Sequence, residues 1–322
     1  MNASQSYQNK PLVSVGIPTL NGGEKLIGVV NSVLNCGMDH DQLEIIISDN
    51  ASTDQGVTQR VCEQLASQHP QIRYYRQSEG IGWLPNWNFV MQKATGKYFM
   101  WLADDDRIID GVMEKYVDFL EANEEYSLVC GKIDYYAGDE WVRAETGLSQ
   151  EQSKPSNRVY SYYRKVGDGA MVYGLMRTEL AQKIEHINRM AMDWHHVAGM
   201  AFLGKIKQLD FTGYNKFFGG RSSSFVRYAK LIGLPGWWGH FPTLRIGIDV
   251  FDEILSRVPI YKSLSRGQRF WLALKSSAGI ILPWYLWGNP KRYAVMLMHS
   301  LKLKTPGDRR RELYNAEHGT AK

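Results

Sequence analysis

Between Pro11 and Ala103 the chain alternates short β-prone runs with amphipathic stretches, and this rhythm restricts the fold more than any other feature of the 322 residues. "PLVSVGIPTL" (Pro11 to Leu20) reads as a strand closed by Pro18 and the turn residues Asn21-Gly22-Gly23. From Glu24 to Asn35 the apolar Leu26, Ile27, Val30, Val33 and Leu34 follow i, i+1, i+4, i+7, i+8, the stripe of an amphipathic helix. "LEIIISDN" (Leu43 to Asn50) is a continuous apolar strand, as expected where both faces of a sheet are covered. Asp54 is placed to cap a helix carrying Val57, Val61 and Leu65, and Pro70 ends it. "IRYYR", "WNFVMQKA" and "YFMWLA" add a strand, a helix and a strand. The order β-α-β-α-β-α-β predicts an α/β fold, a mainly parallel sheet flanked by helices and joined by right-handed crossovers. Ligands of such sheets bind beyond the carboxyl ends of the strands, the edge on which Asp49 and Asp104 to Asp106 fall.

The rest of the chain is less rhythmic. Gly111 to Asn123 predicts a helix and "SLVCGKI" a strand, whereas Gly138 to Tyr160 is polar, turn-rich and without period, and is assigned no fixed structure. "AMVYGLM" (Ala170 to Met176) resumes a strand, helices follow over Thr178 to Ile187 and Asp193 to Leu203, and "GGRSSSF" is loop. Beyond residue 226 the pattern changes to helices separated by Pro and Gly. The expected organisation is therefore a sheet domain over 1–225 and a helical region over 226–322. The longest apolar stretch there, Ala278 to Trp287, is broken by Pro283 and falls short of the roughly 20 residues needed to span a bilayer.

Composition narrows the setting. "MNASQSYQNKPL" has neither the basic nor the apolar region of a secretory signal, so the cytoplasm is the expected location. Cys36, Cys62 and Cys130 are odd in number, widely spaced and read as buried hydrophobes. The net charge of +5 is mild, and its excess gathers at Lys291, Arg292, Lys302, Lys304 and Arg309 to Arg311, behind Trp271, Trp284, Tyr285 and Trp287. Two readings stand: an anionic membrane surface meeting the helical region, peripherally on the inner face of the plasma membrane, or aromatics that simply cover the core. No nucleic-acid reader motif is present.

In "KYFMWLADDDRI" an apolar run stops at Asp104, Asp105 and Asp106. Three adjacent carboxylates repel one another unless a cation sits among them, and oxygen ligands without histidine suit Mg²⁺ or Mn²⁺. Mg²⁺ takes one or two carboxylates and completes its shell with water and phosphate, which predicts a nucleotide diphosphate as ligand. The alternative is a solvated acidic loop with Asp106 or Asp110 capping the next helix. Against it stand Asp49 and the Pro18-Thr19-Leu20-Asn21 turn, which end two other strands at the same edge.

"VSVGIPTLN", "IIISDNASTD" and "NWNFVMQKATGKYFMWLADDD" resemble, in order and spacing, the nucleotide-sugar-binding half of family 2 glycosyltransferases of the GT-A type, most closely bacterial enzymes building O-antigen and capsule sugars. The resemblance covers residues 11–130 strongly and 165–225 weakly. It implies that Pro18, Thr19 and Asn21 border the nucleoside and that Asp49 accepts the imide N–H of uracil or thymine, favouring a UDP- or dTDP-linked donor. Asn88 would support the nucleotide site, Asp104 would contact ribose and the metal shell, and Asp105 would bind the metal, with Asp104-x-Asp106 an equally literal ligand pair. Trp87 stands where many relatives have Arg, and Ala103 where many have the first acid. "MAMDWHHVAGMAFLGK" resembles the acidic motif that opens a catalytic helix. Asp193 would be the general base, although an Asp before a helical run is by default an N-cap. His195 and His196, adjacent on one helix, do not face a common metal, but one is a candidate for the acceptor pocket. Gly219-Gly220-Arg221 resembles a loop that approaches the diphosphate, where Arg221 would pair with phosphate.

The implied activity is inverting, metal-dependent transfer of a sugar to a hydroxyl of a saccharide or polyprenyl-linked acceptor. A sugar-phosphate nucleotidyltransferase would need a glycine-rich basic loop after the first strand, which Asn21-Gly22-Gly23-Glu24 does not supply, and no G-x-G-x-x-G follows a strand. A non-catalytic nucleotide-sugar-binding or membrane scaffold subunit remains as the reading from another class.

Overall fold

The computed structural model of the chain describes residues 10–145, 147–217 and 225–285. Its first half follows the predicted alternation: β1 (Val13–Thr19), α1 (Lys25–Leu34), β2 (Leu43–Asp49), α2 (Val57–Gln68), β3 (Ile72–Arg76), α3 (Trp83–Lys93) and β4 (Tyr98–Trp101). A two-residue β5 (Arg107–Ile108), α4 (Val112–Ala122) and the long β6 (Tyr126–Ala137) follow. Then come β7 (Glu140–Glu145), α5 (Pro155–Lys165), β8 (Leu175–Arg177), α6 (Thr178–Ala181), α7 (Met192–Leu203) and β9 (Lys205–Phe217). The described C-terminal helices are α8 (Phe225–Leu231), α9 (Pro242–Asp252) and α10 (Arg266–Tyr285).

One sheet runs β3-β2-β1-β4-β8-β6-β9-β5, with β7 paired to β6. Strands β3, β2, β1 and β4 are parallel, as the alternation predicts. The second half mixes directions: β8 is antiparallel to β4 and β6, and β9 is parallel to β6 but antiparallel to β5. Alternate residues of each central strand feed opposite cores. Ile45, Ile47, Tyr98 and Met100 face the layer of α1, α2 and α4, whereas Ile46, Phe99 and Trp101 face the layer of α3, α5 and α7.

That second core also contains Ile246, Val250, Leu272, Ala273 and Ile280 of the described C-terminal helices. None of the described helices is long and apolar enough to cross a membrane.

Three expectations are corrected. Within Gly138 to Tyr160, β7 forms a hairpin with β6, and α5 begins at Pro155, whose fixed φ suits a first helical turn. Within the expected strand Ala170 to Met176, Ala170–Tyr173 makes a 3₁₀ turn, and only Leu175–Arg177 is strand. The helix expected over Thr178 to Ile187 is a single turn, Thr178–Ala181. Local period could not separate these short pieces, because their burial comes from the sheet and α7 and not from a repeating stripe of their own.

Candidate active site

The carboxyl ends of β1, β2 and β4 form one rim. Thr19 and Asp49 are register partners at the ends of β1 and β2, and the Thr19 hydroxyl donates to Oδ2 of Asp104 at 2.6 Å. Asp49 and the acid triplet therefore lie on either side of one threonine. Asn86 of α3 ties the same two strands from below: Ser48 Oγ donates to its Oδ1 at 2.6 Å, and its amide donates to the carbonyls of Ser48 and Thr19. Asn88, one residue beyond Trp87, makes no such link, and its buried Oδ1 has no partner among the described residues.

Asp49 is fully buried. Its Oδ1 accepts from the backbone N–H and hydroxyl of Ser52, and its Oδ2 from Tyr74 Oη at 3.1 Å with Arg76 at 3.4 Å. Asn21 braces the loop above: its N–H donates to Ser52 Oγ and its Oδ1 accepts from Thr53 N–H. Asn21, Ala51, Gln55 and Ala191 hold positive φ near 57°. Each costs about 1 kcal/mol or more, and such strain clusters at functional sites. Here three of the four lie in the turns above β1 and β2 and the fourth just before Asp193. Pro18 is partly exposed beside them.

The triplet divides three ways. Asp106 is buried because β5 pairs with β9: Tyr214 Oη donates to its Oδ2 at 2.8 Å and Phe217 N–H to its Oδ1 at 2.9 Å. Both of its oxygens are thus committed to the fold. Asp104 keeps Oδ1 clear of the Thr19 bond. Asp105 has no hydrogen-bond donor among the described residues, and burial, with Asp106 and Asp104 as neighbours, pushes its carboxyl up to about 6. A carboxylate so placed favours a cation beside it. Asp104 and Asp105 offer the one or two carboxylates that Mg²⁺ or Mn²⁺ takes; among the described residues no group of three or more metal-ligating side chains converges.

Asp193 lies inside the first turn of α7. The cap position is Ala191, left-handed and without a side-chain cap bond, so Asp193 is not the N-cap. Its Oδ1 accepts from Trp194 N–H at 3.0 Å, and its Oδ2 rests on Gly169, where a Cβ would stand 1.5 Å away. Burial raises its carboxyl above the usual range against the opposing pull of Trp194 N–H and Lys216. A raised carboxyl is suited to general-base work near neutral pH.

His195 and His196 leave the acceptor-pocket expectation unsupported, since both point into the core. His195 Nδ1 sits 2.6 Å from Glu253 and 3.2 Å from Tyr163 Oη; His196 contacts His186 at 2.7 Å and lies edge-on to Trp101. Arg221 lies outside the described residues, as do the basic tail residues and Trp287; of the side chains of Trp284 and Tyr285 nothing is described.

Sequence reading missed Lys216, Asp168 and Gly169. Asp168 accepts from Tyr135 Oη, Arg143 and Ala170 N–H, and the Gly167-Asp168-Gly169 turn was its only local signal. Lys216 is held above the usual lysine range: burial opposes its charge, but Tyr173, Asp106, Asp168 and Asp193 outweigh that effect. Nothing in "YNKFF" announces such a group.

Known proteins resemble the chain in sequence and in fold. Residues 14–185, more than half of the chain, match Glycosyl transferase family 2. The GalNAc(5)-diNAcBac-PP-undecaprenol beta-1,3-glucosyltransferase of Campylobacter jejuni is 33% identical over 144 residues, 44% of this chain and 42% of that protein, so the chain spans less than half of this relative. The S. aureus TarS 1-349 structure in complex with UDP-GlcNAc shares the fold at TM-score 0.56 and 13% identity, over 88% of this chain and 83% of that one. The mannosyltransferase PcManGT from Pyrobaculum calidifontis, in complex with GDP-Man and Mn²⁺, does so at TM-score 0.53 and 15% identity, over 96% and 85%. The chain belongs to glycosyl transferase family 2.

Proposed function

We propose that this protein transfers a sugar from a nucleotide-diphosphate sugar to an acceptor hydroxyl, with inversion, in the synthesis of a bacterial surface polysaccharide. The observation that carries the reading is the rim itself, where Thr19, Asp49, Asp104 and Asp105 meet from three strand ends and the charge of Lys216 acts on both Asp106 and Asp193. Asp193 takes the proton of the acceptor hydroxyl, whose oxygen attacks the anomeric carbon through an oxocarbenium-like state. Asp104 and Asp105 would hold Mg²⁺ or Mn²⁺, which when bound supplies charge neutralisation for the diphosphate. Asp106 then acts through the fold, keeping the turn in place.

Asp49 reads the donor base only if Tyr74 or Arg76 moves aside, and its Oδ2, held by the longer contacts, is the oxygen so assigned. The acceptor proposed is a saccharide or polyprenyl-linked saccharide. Support comes from the name of the Campylobacter relative and from the surface of the C-terminal helices. Of the twelve exposed large apolar residues among the described ones, nine lie from Phe225 onward, including Trp237, Phe241 and Trp271. Such a surface suits a membrane interface.

A thermal-shift panel of UDP, dTDP and GDP and their sugars, with and without Mn²⁺, tests the donor site, since ligand binding raises apparent stability by mass action. Asp193→Asn should lower turnover by roughly 10² to 10⁴ with donor binding retained. Donor binding by the native chain without turnover on any membrane-derived acceptor would favour a scaffold subunit instead.

A further inference from the structure

We propose that Lys216 is the group of this chain that receives the negative charge of the donor's diphosphate, a role that rests on the donor-site reading above. Lys216 is the penultimate residue of β9. The pairing of Arg107 with Asn215 sets it beside the acid turn, and the next residue, Phe217, donates its N–H to Asp106. The ammonium therefore stands at the rim by strand register, a placement more rigid than a loop would give.

A column of rings fixes its position. Lys216 Nζ lies 4.4 Å from the centre of the Tyr173 ring. Tyr173 stacks on Tyr214 at 4.9 Å and meets Trp87 edge-on at 6.0 Å, and Trp87 stacks on Trp101 at 4.9 Å. Of the carboxylates near the ammonium, Asp105 has no donor among the described residues, and the other three have donors of their own. Asp106 holds Tyr214 and Phe217, Asp168 holds Tyr135, Arg143 and Ala170, and Asp193 holds Trp194. Lys97, Lys132, Lys205 and Lys207 each close an ion pair, whereas Lys216 closes none among the described residues. The Tyr173 hydroxyl takes one of the ammonium's three N–H donors, the others stay available among the described residues, and a compact point charge of this kind binds phosphate well.

In the transfer step the bond between the anomeric carbon and the diphosphate oxygen breaks, and the electron pair leaves with that oxygen. The acceptor oxygen forms the new bond and its proton goes to Asp193. Lys216 keeps its protons and donates them as hydrogen bonds to the phosphate oxygen on which charge accumulates.

The test compares a nucleoside diphosphate with its monophosphate by calorimetry in Mn²⁺, using UDP and UMP, dTDP and dTMP, and GDP and GMP. The ratio of the two affinities within one variant cancels base recognition and overall stability. Lys216→Met should shrink the diphosphate preference roughly 10- to 100-fold, the usual worth of a charge-assisted hydrogen bond. Lys216→Arg should retain most of it. Lys216→Gln, closer in shape, is measured alongside in case the Met variant fails to fold. An unchanged ratio in Met or Gln overturns the assignment alone; failure of the native chain to bind any of the diphosphates overturns the donor-site reading and this inference with it.

Discussion

Alanine at position 169 would place a methyl carbon 1.5 Å from Oδ2 of Asp193 and 2.3 Å from its Cγ. Ordinary contact needs about 3.5 Å, so the carboxylate must retreat by about 2 Å. Gly169 itself has φ −87° and ψ 2°, which alanine adopts without left-handed strain. The group with room to give is the Asp193 side chain, whose one hydrogen bond among the described residues comes from Trp194 N–H. Gly169→Ala should therefore move the proposed base while leaving the fold nearly as stable. A displacement of about 1 Å costs roughly 10²-fold in rate, and loss of a general base roughly 10² to 10⁴. The expected drop in kcat is thus about 10²- to 10³-fold, with nucleoside diphosphate affinity unchanged. Diphosphate release in the presence of acceptor measures the first, and calorimetry the second. In an Asp193→Asn background the same substitution should add little, because its target is already disabled. Native-like turnover in Gly169→Ala, or a full additive loss on top of Asp193→Asn, would refute Asp193 as the base held by Gly169.

Two further outcomes follow from charges at the rim and beneath it. The folded protein protonates Asp105 near 6 and the unfolded chain near 3.8, so ionised Asp105 burdens the fold above that window and not below it. Asp105→Asn should raise the metal-free melting temperature at pH 7.5, by the equivalent of about 1–2 kcal/mol after solvent screening, and abolish any Mn²⁺-linked rise; a lower metal-free melting temperature would count against it. Below the rim, burial opposes the charge of His195, but Glu253 outweighs it and raises the imidazole, with Asp249, Arg189 and Tyr163 as the other facing groups. A raised histidine contributes its full stability below the unfolded value of about 6.5 and loses it as pH rises through the folded one. Glu253→Gln should cost about 3–5 kcal/mol in urea unfolding at pH 6 and clearly less at pH 9. An equal loss at both would show that the pair is held by packing and not by charge.

Much of the donor half was legible in the sequence because its signals are local. A strand buried on both faces must be continuously apolar, as Ile45 to Ile47 is, and a turn above a strand end must carry residues such as Asn21, Gly22 and Gly23. The acids that end those strands then fall at one edge by topology alone. What local pattern could not give is which carboxylate remains open. Asp104, Asp105 and Asp106 read alike in the chain, and only the pairing of β5 with β9 turns Asp106 inward onto Tyr214 and leaves Asp105 without a donor among the described residues.

The sequence by itself determined the alternation, the parallel half-sheet and the rim, since each depends on residues close to one another along the chain. The tertiary structure alone decided the company of Asp193: Gly169 beneath it, Lys216 beside it, and Glu253 holding the neighbouring His195 from the C-terminal helices. Those partners are separated by 23 to 60 positions, and a charge's strength in a site is set by burial and by the charges around it, neither of which is written in any single stretch of the chain.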